Sequence, residues 1–259
     1  MAQTRSDDLA TTLAIGVTAS VAQFVVHELV GHGTACVLLG GRILAVAPLW
    51  MRCTINHRLM VLSGPMANLI AGGLCWVILR SAPPRSPASR LFLWLSIAFQ
   101  WLVAAGYLAV GAASGFGDWP VILPGLDSWP ARLATIVVAA GGYVLVLRAL
   151  ARLGVQRLGA SLVEESRLTR VALLPALAAG ALAVLAELVG RRFEPLGLVL
   201  AIGCTAVVGW SLLVVPRFVR PIPTDRGIDL AVPRSLGWIL GGTAVAVGFL
   251  AGVAPALDS

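Results

Sequence analysis

Long apolar runs, nearly free of charge, recur seven times along this chain. A helix needs roughly 20 apolar residues to cross the hydrocarbon core of a bilayer, and a stretch of that kind has few other places to go. The runs cover about 9–39, 58–79, 91–113, 131–150, 170–190, 195–215 and 235–255. Composition agrees: 58% of the 259 residues are hydrophobic and 12% are charged, whereas a soluble domain is roughly 25% charged. The fold class expected is all-α, a polytopic transmembrane bundle of about seven helices. A soluble enzyme, a disordered chain and a disulfide-stapled secreted domain are excluded.

The segments between the runs carry the rest of the organisation. Residues 40–57 begin Gly40-Gly41 and continue with alternating, β-branched side chains, which predicts a small β-hairpin or re-entrant segment after the first helix. Residues 114–130 are rich in Gly, Pro and Trp, a composition that no regular helix tolerates. The stretch 151–169 reads as an interfacial amphipathic helix. Glu187 and Arg191 are spaced for an ion pair within one helix. The eight tryptophans sit near helix ends, as an aromatic belt would. There is no internal repeat and no cleavable signal peptide. Residues 1–150 form one expected core and 151–259 add further helices to the same membrane domain.

The net charge of +7 comes from 19 arginines and no lysine. They lie in the short gaps between apolar runs, so membrane orientation explains them and nucleic-acid binding does not. Seven crossings put 13 arginines on the N-terminal side and 6 on the other. That bias predicts a cytoplasmic N-terminus, in a multi-pass protein of the plasma (inner) membrane of a bacterium. The four cysteines show no CxxC spacing and read as small buried thiols.

The chemistry concentrates in Phe24-Val-Val-His27-Glu28-Leu-Val-Gly31-His32-Gly33. Ionisable side chains inside a membrane helix are costly and face the bundle interior for a functional reason. Histidine and glutamate are the zinc-ligand and general-base types. The histidines are five apart, however, and on a regular helix they point about 140° away from each other. Zinc chelation therefore demands a π-bulge between Glu28 and His32, which Gly31 and Gly33 make easy. The alternative is a set of polar groups that hydrogen-bond between helices or relay protons.

His27-Glu28-Leu29-Val30-Gly31-His32 resembles the HELGH motif of site-2-type intramembrane metalloproteases, lengthened by one residue. The lengthened form, HExxGH, is the zinc motif of the soluble dipeptidyl peptidase III family. Gly64-Pro65-Met66-Ala67-Asn68 resembles the second site-2 motif, GPxxN, on the next helix. The Gly-Gly-Arg-Ile-Leu stretch resembles that family's glycine-led hairpin. The resemblance spans about residues 10–130.

It implies Zn2+ held by His27, His32 and an aspartate from a later helix, with Glu28 as the catalytic base acting on zinc-activated water. The family's aspartate often lies in a PxxDG-like sequence, of which this chain has no clean copy. Asp118, flanked by Gly117 and Pro120, is the first choice, and Asp127 is the alternative. His57 is a further candidate, read as an interfacial loop residue. Asn68, with Gly64 and Pro65, is implied to hold the substrate or its developing oxyanion. The substrate implied is a membrane-embedded or membrane-anchored protein, met in the lipid bilayer, with no nucleic acid involved. The competing reading is a non-catalytic membrane protein, a transporter or an inactive protease relative, that uses the His/Glu cluster for metal or proton handling.

Overall fold

A computed structural model describes residues 6–47, 50–123, 125–189, 195–218 and 230–253. Helix α1 runs Leu9–Leu38 and is followed by a hairpin of β1 (Ile43–Ala47) and β2 (Trp50–Cys53). Then come α2 (Arg58–Ser81), α3 (Pro87–Ser114) and the short α4 (Asp118–Ile122). Helices α5 (Trp129–Leu158), α6 (Glu165–Val189), α7 (Pro195–Val214) and α8 (Leu236–Val253) complete the chain. Six helices are long and apolar enough to cross a membrane, and α8 is a shorter apolar helix. The protein is a multi-pass helical bundle with one small two-stranded antiparallel sheet among the described residues.

Helices α1 and α3 sit at the centre. Helix α1 packs on α3, α6 and α8, and α3 packs on α2, α5 and α7. The core is built from Ile15, Leu79, Leu91, Leu95, Leu102 and Leu150, all essentially inaccessible. Trp94 departs from the expected aromatic belt. It is fully buried, and its indole N–H donates to the Leu150 carbonyl at 2.9 Å. Outward-facing Val137, Val138, Leu145, Trp210 and Leu240 are more than 60% exposed, an apolar exterior suited to lipid rather than water.

One end of the bundle collects the N-terminus and the connections 82–86, 159–164 and 230–235. Asp7 takes an ion pair from Arg167 at 2.9 Å and accepts from the Val232 amide at 2.8 Å. Arg90 donates to the Arg157 carbonyl at 3.3 Å, and Arg157 donates to the Arg80 carbonyl. These contacts tie together four segments that the seven-crossing count assigns to one side of the membrane. The hairpin and α4 lie at the opposite end.

Two expectations are corrected here. No separate interfacial helix exists over 151–169: α5 continues to Leu158, Gly159 breaks it at φ 113°, a 3-10 turn spans Ala160–Val163, and α6 starts at Glu165. The polar residues there serve a tight turn between two spans. The cysteines are not all thiols either, since Cys36 and Cys53 form a disulfide. The hairpin folds back on the end of α1, and Gly41 donates to the Cys36 carbonyl at 2.8 Å, which brings two cysteines 17 residues apart together. Cys75 and Cys204 are free and lie within spans. Arg191, the expected partner of Glu187, lies outside the described residues.

Candidate metal centre

Within α1, residues Val25–Gly33 form a π-helix of nine residues. Its i→i+5 hydrogen bonding stacks side chains five apart on one face. His27 and His32 therefore meet, with ring centroids 4.8 Å apart and planes nearly perpendicular. The irregularity that the five-residue spacing demands is present, spread over two turns rather than confined to one residue.

Close packing holds this stretch in place. A Cβ on Gly31 would come 2.6 Å from the Gly64 Cα and 2.8 Å from the Ser63 carbonyl oxygen, so α1 and α2 touch backbone to backbone. A Cβ on Gly64 would come 2.5 Å from the His32 ring and 2.9 Å from His27 Nε2. The GPxxN segment thus supplies the floor on which both rings lie. Gly64→Ala is expected to displace the rings, costing about 1–3 kcal/mol in stability as an overpacked contact. Thermal unfolding in detergent checks the stability, and a metal-binding titration checks the displacement.

Asp118, at the start of α4, completes the cluster. Its Oδ2 lies 3.2 Å from His27 Nε2 and 3.5 Å from His32 Nε2. All three donor atoms lie within 4.8 Å of one another. A tetrahedral zinc bonded at ~2.0–2.2 Å sets its donors roughly 3.3–3.6 Å apart, so the two aspartate–histidine spacings suit that ion. Two imidazoles and one carboxylate are also a donor set that zinc accepts. Burial pushes the Asp118 carboxyl up, but hydrogen bonds from His27 and His32 outweigh it and hold the group below the usual carboxylate range.

The outer nitrogens of both rings are held from behind. His32 Nδ1 donates to the Met60 carbonyl at 2.9 Å, so Nε2, which faces Asp118, is the nitrogen that would take an ion. Asn68 is fully buried, and its Nδ2 donates to His27 Nδ1 at 3.1 Å, which fixes the ring and leaves Nε2 as the nitrogen that faces Asp118. The geometry thus places Asn68 behind a candidate ligand, where it orients the His27 ring. Asn68→Ala is expected to weaken metal binding by ~10–100-fold, the usual cost of losing such a partner, as read by competition with a chromogenic chelator.

Glu28 follows His27 in the π-helix and is 5% exposed, and its Oε2 has no hydrogen-bond partner among the described residues. It lines a cavity of about 40 Å³ with Gln23, Phe24, His27, Val103 and Tyr107. A water occupies roughly 10–15 Å³ on this measure, so a few waters fit. Tyr107, on α3, escaped the sequence reading, because a lone membrane tyrosine carries no spacing signal. Its hydroxyl lies against Gly117, next to the Asp118 ligand.

Asp127 is exposed in the turn before α5 and is not part of the cluster. His57 caps α2, accepting from the Leu59 amide at 3.2 Å. Pro65 lies inside α2, one residue beyond the ring contact. Compared with protein-family models, curated proteins and solved structures, the chain matches none.

Proposed function

We propose that the protein is a zinc-dependent intramembrane peptidase that hydrolyses a peptide bond in or near a membrane-spanning segment of another protein. One observation carries this reading: the π-helix that turns His27 and His32 onto Asp118 also places Glu28 at a small cavity beside them, its Oε2 without a hydrogen-bond partner among the described residues. A proton relay has no need of three donors at zinc spacing. The likeness of the HExxGH and GPxxN segments to site-2 proteases supports the same chemistry.

His27 Nε2, His32 Nε2 and Asp118 Oδ2 would hold the ion. Zinc bound there supplies a Lewis acid that polarises the scissile carbonyl and acidifies water. Glu28 takes the proton of the attacking water as the C–O bond forms, and delivers it to the leaving nitrogen as the C–N bond breaks. Tyr107, which lines the same cavity, donates its hydroxyl proton toward the oxygen that becomes negative in between. Tyr107→Phe is expected to lower kcat by ~10²-fold, as loss of one such donor does elsewhere, with KM nearly unchanged in a steady-state assay. The two-stranded sheet leaves an outer edge on each strand, where an unwound substrate adds by backbone hydrogen bonding.

The test is cleavage of a panel of single-span peptides in vesicles by the purified full chain. Cleavage that a zinc chelator stops and zinc restores supports the reading. Zinc-loaded, folded protein that cleaves none of the panel sinks it in favour of a metal- or proton-handling membrane protein.

A further inference from the structure

Two unrelated chemical signals mark the hairpin end of the bundle, and they agree. The first is charge. Ten described arginines lie nearer the end that holds the N-terminus, and four, namely Arg42, Arg52, Arg58 and Arg132, lie nearer the hairpin end. Arginine excess marks the cytoplasmic side of a short-looped membrane protein, so the hairpin end faces away from the cytoplasm. The second is redox. The disulfide Cys36–Cys53 joins the last turns of α1 to β2 at the arginine-poor end. Disulfides form and persist outside the reducing cytosol. Neither signal depends on the other.

The metal-ligating cluster lies toward the same end. His32 is six residues from the end of α1 at Leu38 and 23 from its start at Leu9, or roughly 9 Å against 35 Å of helix rise. Asp118 enters from the connection between α3 and α5, which is itself at the hairpin end. Above the rings, Cys36, Met60 and Val61 pack with Ile43, Met51 and Ile122 into one small apolar cluster. The disulfide therefore pins a cover made from the hairpin, α2 and α4 beside the ligands.

We propose that this centre lies toward the non-cytoplasmic side of the membrane, so that its substrate is a membrane-anchored protein cut toward the outer end of its span. The substrate class rests on the peptidase reading above; the orientation does not. It follows that the hairpin meets the substrate in an oxidising compartment, where the Cys36–Cys53 bond keeps it docked on α1.

Orientation is tested in intact cells expressing the full chain, with a charged, membrane-impermeant maleimide. Ser128→Cys places an exposed thiol at the hairpin end, and Ala82→Cys places one at the opposite end. The parent serves as the control. Ser128→Cys is expected to label about tenfold more than Ala82→Cys, which labels only after the cells are opened. In parallel, cells are quenched with acid, free thiols are blocked, and the protein is reduced and tagged. Cys36 and Cys53 are expected to take the tag only after reduction. Labelling of Ala82→Cys alone in intact cells, or free thiols at Cys36 and Cys53, overturns the proposal. Both readouts are independent of zinc and of hydrolysis. A correctly oriented chain that binds no zinc sinks the peptidase reading and leaves the orientation standing.

Discussion

Glu28→Gln is expected to abolish hydrolysis while leaving zinc in place. The substitution keeps the size of the side chain and removes only its ability to take a proton. Glu28 lies beside a ligand without being one: the three donors come from His27, His32 and Asp118. Its Oε2 is buried with no hydrogen-bond partner among the described residues, so no hydrogen bond to that oxygen is lost when the carboxylate becomes an amide. Removing a positioned general base costs ~10²–10⁴-fold in rate. The check is a paired measurement on one preparation, zinc per chain by elemental analysis and turnover on a single-span peptide. Zinc near the parent level with turnover at background is the expected pair. Full turnover in Glu28→Gln assigns the proton transfer to another group.

The second large effect separates two aspartates. Asp118→Ala is expected to reduce zinc affinity by more than about 100-fold, since even outer partners of a ligand cost 10–100-fold. Asp127→Ala is expected to leave zinc unchanged, because that side chain is exposed in a turn away from the cluster. Asp118→Asn sharpens the comparison by keeping the shape while losing the charge. Equal zinc loss from Asp118→Ala and Asp127→Ala would mean a different arrangement of the 115–128 connection.

The parts of this site that sequence makes legible are those set by spacing along one helix. His27 and His32, five apart, admit a shared ion only through i→i+5 geometry, and Val25–Gly33 has that geometry. The apolar runs locate the spans to within a few residues, apart from α5, which runs eight residues past its expected end to Leu158. Contacts made across the fold are not written in spacing. Asp118 and Asp127 look alike in a Gly/Pro-rich segment, and only the path of the chain into α4 chooses between them. The Cys36–Cys53 bond follows from the hairpin folding back on α1. The place of Asn68 behind His27 Nδ1 follows from the packing of α2 on the π-helix. Tyr107 has no motif around it and is found only by what shares its cavity.

The most direct measurement is the metal content of the purified, folded parent chain. The account predicts one zinc per chain, with nitrogen and oxygen neighbours at ~2.0–2.2 Å in X-ray absorption, lost in His27→Ala and in His32→Ala. A folded parent that holds no zinc after zinc is supplied, or zinc that survives both histidine substitutions, would contradict it.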